Sequence, residues 1–291
     1  MRVHAIINPI AGRNRGARAW SRAKPVLVAA GWEITESFSL WRGHAVELAA
    51  SADADVLLAV GGDGTAHEVA NGLLRGSWRP VMGVLPVGTG NDFARAIGLP
   101  RDPAAAARML LTARPKLLDV GIVNDRYFLT VAGAGFDGEV AKQVNAWPKV
   151  LGGTAMYVLG ILKMLVIYRP VEVEIVTDGV PDRERLFLIA VGNTAWNAGG
   201  MWMVPSARAD DGILHVVIAG PLSRIETLGV LPRVYSGRHL LHPKIRQAHC
   251  HEITVTSTTP LTVQADGEPI GTLPATFRVH PRALEVLIPA I

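Results

Sequence analysis

The chain has 291 residues, 49% of them hydrophobic and 19% charged, with a formal net charge of +4 and a single cysteine, Cys250. That length gives room for two domains or one large α/β unit, and the composition excludes a low-complexity or disordered chain. One cysteine excludes an intrachain disulfide framework and fits a reducing compartment, while the mild basic excess suits nucleotide phosphate, acidic lipid headgroups or nucleic acid without choosing among them.

In chain order the first part alternates strand and helix. RVHAIIN reads as a strand, residues 17–30 as a helix, WEITESFS as a strand, HAVELAASA as a helix and DVLLAV as a short buried strand. A helix over about 65–74, the strand VMGVLP and helices near 91–96 and 103–112 follow. Short apolar strands separated by helices predict a mostly parallel sheet covered on both faces. Ligands of such sheets sit beyond the carboxyl ends of the strands, which puts NPIAGRNRG, GGDGT and PVGTGND along one edge.

From about Lys116 the rhythm changes. KLLDVGIV, RYFLTVAGAG, VEVEIVTDG, RERLFLIAVGN, GILHVVIAG, HEITVTS, LTVQADGE, ATFRVHP and ALEVLIP read as strands, with helices near 154–168 and 223–236. The expected fold is α/β: an N-terminal three-layer Rossmann-like domain over 1–118, then a C-terminal strand-rich, mostly antiparallel, sandwich-like domain over 119–281. The tail 282–291 is a candidate to return to the first domain, and a cleft between the two is the expected place for an active site. The segment VLGGTAMYVLGILKMLVI, 150–167, is broken by Lys163 and followed at once by VEVEIV, so it reads as a buried or interfacial helix rather than a membrane span. The opening MRVHAIINP is interrupted too early to read as a secretory signal.

Three loops carry the chemistry. In VGGDGT, Gly61, Gly62 and Gly64 remove the β-carbons that would hold a ligand off the backbone, permit positive φ, and precede a helix whose N-terminus favours an anion. An acid inside a phosphate cradle calls for a divalent cation, so Asp63 reads as a partner of Mg²⁺, directly or through water. LPVGTGNDFAR repeats the pattern, with Gly88 and Gly90 around Thr89 and then Asn91 and Asp92 opening a helix, where capping is the plain alternative. INPIAGRNRG adds Asn8, Gly12 and the arginines Arg13, Arg15 and Arg18, suited to phosphate charge or to an ordinary solvated face. No GxxxxGK[ST] loop occurs, and nothing follows the GxGxxG spacing in a first βα turn.

In that order, NPIAG, GGDGT with the following EVANGL, PVGTGNDFAR, the GN…GG…P.A..DDGIL run and ADGEP resemble the bacterial soluble diacylglycerol kinase-like family of lipid kinases. Sphingosine and ceramide kinases are relatives; NAD kinases and 6-phosphofructokinases are more distant ones sharing GGDGT. The resemblance covers essentially the whole chain and implies ATP- and Mg²⁺-dependent phosphorylation of a lipid hydroxyl. Carried over by position, nucleotide contacts fall on Asn8, Ser39, Gly61, Gly62, Asp63, Gly64, Thr65, Glu68 and Thr89, with Asp63 and Asp92 acids of the active site. Ser39 stands where the family more often has threonine.

In LTVQADGEPIG, Asp266 and Glu268 alone would read as turn chemistry. The resemblance puts the catalytic acid in this element, so that Asp266 or Glu268 accepts the proton of the attacking hydroxyl while the other orients it or helps bind metal. The resemblance also implies a structural Mg²⁺ held by Asp211 and the carbonyls of Arg208 and Ile213, with Asp119 linked to it through water. His215 departs from the family, which has an acid there. His239, His242, His249, Cys250 and His251 lack a strict zinc spacing; His249 and His251 would share a face of one strand.

The function expected is therefore transfer of the γ-phosphoryl group of ATP to a lipid, with diacylglycerol as the default acceptor and a sphingoid base or phosphatidylglycerol as alternatives. An NAD kinase-like enzyme and a non-catalytic nucleotide-dependent lipid-binding protein are the rivals. The implied partners are ATP, a lipid and, transiently, an anionic membrane surface, with no nucleic acid; strand edges leave a homodimer open. The expected location is cytoplasmic, at times peripheral on the inner membrane face.

Overall fold

The computed structural model describes residues 1–76, 79–147 and 153–290, with the side chains of 153–155 outside that description. The chain divides into two compact units, Met1–Asp119 with Arg282–Ile291, and Val120–Pro281.

In the first unit β1 (Arg2–Ile7) leads through a short kinked turn, α1 (Ala11–Asn14), into α2 (Gly16–Ala29). Then come β2 (Glu33–Phe38), α3 (His44–Ala50), β3 (Val56–Gly61), α4 (Asp63–Arg75), β4 (Val81–Pro86), α5 (Asp92–Ala96) and α6 (Pro103–Leu110). The strands are parallel in the order β2-β1-β3-β4. β3 is buried at every residue, as a central strand covered on both faces must be. Chain order reverses at β1, so right-handed crossovers put α2 on one face of the sheet and α3 and α4 on the other. The packing agrees: α2 lies against α6, and α3 against α4.

The second unit takes over within β5 (Arg114–Val123). Its elements are β6 (Arg126–Phe128), β7 (Val131–Gly135), α7 (Phe136–Ala146), α8 (Gly153–Ile167), β8 (Val171–Thr177), β9 (Val180–Leu186), β10 (Leu188–Gly192) and β11 (Leu214–Ala219). They continue with α9 (Arg224–Val234), a 3-10 turn Arg238–Leu241, β12 (Ile245–Cys250), β13 (Glu252–Thr256), β14 (Thr262–Ala265), β15 (Glu268–Thr272) and β16 (Ala275–Ile288). One antiparallel sheet runs β12-β11-β10-β7-β14-β15; in another, β13 pairs with the first half of β16 and with β8, and β8 with β9. Phe128, Ile175, Ile189, Val216, Ile253 and Phe277 fill the space between them. A separate core, with Phe136, Ile161, Met164 and Val230, joins the outer face of the first sheet to α7, α8 and α9. The last residues of β16 belong to the first unit, where Val286 pairs with Met82 of β4 and the Arg282 N–H donates to Asp119 Oδ1 at 2.8 Å. A parallel α/β unit followed by an antiparallel sandwich is the fold class expected from the sequence.

Several elements depart from the sequence expectation for physical reasons. RYFLTVAGAG is two strands, broken at Leu129 and Thr130, because both amides there donate to the Asp266 carboxylate rather than to a neighbouring strand. RERLFLIAVGN likewise divides at Phe187, whose N–H donates to the Ala219 carbonyl. ATFRVHP and ALEVLIP form one strand, β16. Helix α7 is unanticipated, since Gly135 and Gly138 read as breakers. Gly138 is a contact residue instead: a β-carbon there would lie 2.1 Å from the Thr262 carbonyl oxygen. Of the apolar segment 150–167, residues 150–152 lie outside the described residues and the rest is α8. Among the described residues no helix is long and apolar enough to cross a membrane.

Candidate active site

The three loops of the first unit are tied to one another. Asn8, directly after β1, donates through Nδ2 to Thr65 Oγ1 at 3.2 Å in the first turn of α4, while its Oδ1 accepts the Ile10 N–H. Gly61 ends β3 and Gly62 caps α4 in an extended conformation. Positive φ, expected to explain the glycines of GGDGT and GTGND, is absent from Gly61, Gly62, Gly64, Gly88 and Gly90; Gly12, Arg13 and Asn14 adopt it instead. What the glycines supply is proximity. A β-carbon on Gly88 would sit 2.5 Å from the Gly62 Cα, and one on Gly12 would sit 2.1 Å from the Val87 carbonyl oxygen. Backbone therefore packs on backbone where the loops meet.

The acids of these loops converge on α5. Asp63 Oδ1 accepts the Phe93 N–H at 3.1 Å, and Asp92, 3% exposed, opens the same helix with Oδ1 3.7 Å from Arg95 Nη1. Asn91 stands at the cap position in the left-handed region, but its Nδ2 donates to the Gly88 carbonyl at 3.0 Å and it makes no side-chain cap. Its Oδ1 is buried with no hydrogen-bond partner. Two carboxylates and an unsatisfied amide oxygen form a hard-oxygen donor set, and such a set fits Mg²⁺. The N-terminus of α4 fits the phosphates.

Glu68 and Ser39 each bear on the connection between β2 and α3. Glu68 accepts the N–H groups of Gly43 at 2.9 Å and Ala45 at 3.2 Å, and so serves as the cap that α3 lacks from its own Gly43. Ser39 follows β2, its N–H bonded to the Ile7 carbonyl at 2.9 Å. Thr89 is exposed at the tip of its loop. Glu68 thus positions α3, a role that only the distant pairing reveals.

In the second unit Asp266 occupies the β14–β15 turn at φ 49. Its Oδ2 accepts the Leu129 N–H at 2.9 Å, and its Oδ1 accepts both the N–H and the hydroxyl of Thr130, at 2.8 and 2.6 Å. Glu268, half-buried, begins β15. The turn is held further by Gln264, whose Oε1 accepts the Gly267 N–H while its Nε2 donates to Asp137 Oδ2 at 3.0 Å. Burial pushes the Asp137 carboxyl up to about 6. Sequence reasoning missed both Thr130 and Asp137; an acid between two glycines at the start of an apolar-spaced helix was the available signal for the latter.

The loop after Arg208 is oxygen-rich. Asp211 Oδ1 accepts the Ile213 N–H at 3.3 Å, and Oδ2 takes the His215 Nε2–H at 2.8 Å. His215 in turn meets Ser206 through Nδ1 and packs edge-on against His249. Each carboxylate oxygen keeps a further lone pair, so Asp211 with the Arg208 and Ile213 carbonyls fits Mg²⁺, with His215 orienting the carboxylate. Arg208 pairs with Asp210 at 3.2 Å. Asp119 bonds Arg282 in the first unit, as described above.

The histidine-rich stretch does not assemble. His239 is buried against the Met203 carbonyl, and burial raises the Cys250 thiol to about 12. β12 ends at Cys250 and β13 begins at Glu252, so His251 lies between strands and does not share a strand face with His249. Among the described residues no group of three or more His, Cys, Asp or Glu is placed to hold a metal.

Family profiles match both parts of the chain: "Diacylglycerol kinase catalytic domain" over residues 2–123, and "YegS C-terminal NAD kinase beta sandwich-like domain" over 130–288. Glycine loops on a parallel α/β unit, followed by a sandwich with acids in a hairpin turn, define a phosphotransferase with an alcohol group as acceptor. A diacylglycerol kinase of Staphylococcus aureus is 32% identical, covering 99% of this chain and 92% of its own, and one of Staphylococcus epidermidis shares these values. The crystal structure of a diacylglycerol kinase from Bacillus anthracis matches with a TM-score of 0.79 at 26% identity, covering 99% of this chain and 96% of that one. The chain belongs to the bacterial soluble diacylglycerol kinase-like family of lipid kinases, and the co-substrate such a family implies is ATP.

Proposed function

We propose that the protein transfers the γ-phosphoryl group of ATP to the hydroxyl of a lipid in the presence of Mg²⁺, with diacylglycerol as acceptor and phosphatidic acid as product. The observation that carries a lipid acceptor lies within the second unit. A cavity of about 50 Å³ between α7, α8, α9 and the sheet is lined almost wholly by apolar side chains, among them Phe136, Ile161, Met203 and Val230. An acyl chain suits such a lining better than a dinucleotide, for which Asp137, Thr227 and His239 offer few polar contacts. α8 also exposes Val158, Leu159, Leu162 and Val166, which supports transient contact with a membrane surface.

In the mechanism we propose, the amides at the start of α4 and the Gly88–Gly90 loop bind the phosphates, while Asp63, Asp92 and Asn91 present oxygens to Mg²⁺. The bound ion neutralises phosphate charge. The acceptor oxygen forms its bond to the γ-phosphorus as the bond to the β-phosphate oxygen breaks, and ADP leaves. Asp266, committed to Leu129 and Thr130, fixes the hairpin, and Glu268 takes the hydroxyl proton. Asp211 and His215 organise a second, structural Mg²⁺ in the loop 208–213.

Labelled ATP offered to diacylglycerol, sphingosine, phosphatidylglycerol and NAD tests the reading. Label in phosphatidic acid is expected. Label in NADP alone overturns the lipid acceptor, and tight ATP binding without any labelled product overturns the enzyme.

A further inference from the structure

Within the first unit, on the face of the sheet opposite α3 and α4, a groove of about 330 Å³ opens between α2 and the start of α6. Arg15, Arg18 and Arg22 line one wall and Arg101 the other, with Gly88 in the floor. Arg15, at the cap position of α2, and Arg18 and Arg22 within it follow i, i+3, i+7 spacing, so all three sit on one side of the helix over about 10 Å. Arg15 Nε donates to the Gly12 carbonyl at 2.6 Å. Arg18, Arg22 and Arg101 have no ion-pair partner among the described residues. The groove's one acid, Asp102, has its Oδ2 engaged at 2.7 Å by the Ala105 N–H, as the cap of α6.

Four guanidinium groups and one engaged carboxylate leave a strong positive excess in a small concavity. Bringing like charges together costs free energy, and an exposed helix face normally relieves it with interspersed acids. Here Lys24, also on α2, has such an acid, Glu36. None of the four groove arginines has one among the described residues. Guanidinium forks match phosphate oxygens in pairs, which a lysine ammonium does not. Pro86, Val87 and Pro103 give part of the groove an apolar lining suited to a small carbon body.

We infer that this groove is a binding site for an organic phosphomonoester, sharing with the residues proposed for the nucleotide only Gly88. Ser39 and Glu68 belong with α3 and α4, on the other face. Gly88 is the point of contact between the two, so an occupant here touches the back of a loop whose Cα packs on Gly62. The inference does not depend on the proposed reaction, because it concerns binding alone. The phosphomonoester has two sources, a soluble ester or the headgroup of a phosphorylated lipid.

Calorimetry with glycerol 3-phosphate, and sedimentation with phosphatidylcholine vesicles with or without phosphatidic acid, distinguish them in the full chain. The single variants Arg22→Gln and Arg101→Gln are each expected to weaken binding of the preferred probe roughly tenfold or more. Binding of a fluorescent ATP analogue by the same variants is expected to stay at the wild-type level. Loss confined to the soluble ester assigns a metabolite site; loss confined to vesicles with phosphatidic acid assigns a headgroup site. The inference is overturned if wild-type protein binds neither probe, if the variants bind as wild type does, or if ATP displaces the ester competitively.

Discussion

Asp266 and Thr130 are joined twice across 136 positions of chain, the Thr130 N–H and Oγ1–H both donating to one carboxylate oxygen. With Leu129 on the other oxygen, Asp266 accepts from three buried donors, and this is why the chain breaks between β6 and β7. Asp266→Ala strands those donors and is expected to cost roughly 3 kcal/mol in urea denaturation. Glu268→Gln is expected to leave stability within about 0.5 kcal/mol of wild type while lowering kcat about a hundredfold or more. The opposite pattern would exchange the roles of the two acids.

Glu68 caps α3 from a different helix. Glu68→Ala leaves the Gly43 and Ala45 amides without their acceptor, and a loss of about 1–2 kcal/mol is expected by chemical denaturation. Because the Ser39 loop leads into α3, affinity for a fluorescent ATP analogue should fall with it. Stability lost with affinity intact would confine Glu68 to packing.

Gly88 is required by distance rather than by φ. Gly88→Ala drives a β-carbon against the Gly62 backbone and is expected to weaken ATP-analogue binding roughly tenfold or more as the two loops separate. Gly229 in α9 has open space where its β-carbon would go. Gly229→Ala is therefore expected to be neutral or stabilising by up to about 1 kcal/mol. Equal effects from the two substitutions would remove the argument from proximity.

Asp137 makes stability depend on pH. Burial raises its folded-state value from 3.8 to about 6, so the unfolded chain ionises first as pH rises. Folding should be favoured below about pH 4 and lose on the order of 3 kcal/mol by the time pH passes 6. Asp137→Asn is expected to abolish that slope, leaving the variant more stable than wild type at pH 8. Urea melts at pH 4, 6 and 8 check the sign, and parallel profiles for the two proteins would count against it.

The 208–213 loop offers a calorimetric test of a structural ion. Wild-type Tm is expected to rise with Mg²⁺ over chelator, and Asp211→Ala should remove that increment. No Mg²⁺ dependence in the wild type would leave the organisation of Asp211 to His215 and the Ile213 amide.

Much of this was legible in the sequence because the signals are local. Short apolar runs such as VLLAV and the switch to alternating strands after Lys116 each declare themselves within a few residues. What was not legible depends on partners far along the chain. Nothing near Leu129 announces that Asp266 will take its amide, and nothing near Gly138 announces the Thr262 carbonyl. The glycines of GGDGT suggest room for a ligand and freedom of φ, whereas the use at Gly62 is room for the Gly88 backbone. Helix α7 was hidden for the same reason, although Phe136, Val140, Ala141 and Val144 keep helical spacing.

The course of β16 has a consequence for biosynthesis. Strand β4 receives a neighbour, Val286, from a segment roughly 200 positions downstream of it, which leaves the ribosome long after β4 does. Until then the nascent parallel sheet presents unpaired amides and carbonyls along β4, an edge open to strand addition by any other extended segment. An early stop codon before residue 282 would thus do more than shorten the polypeptide. It would leave a permanently adhesive border on the α/β layer, and aggregation rather than a trimmed enzyme is the outcome to expect.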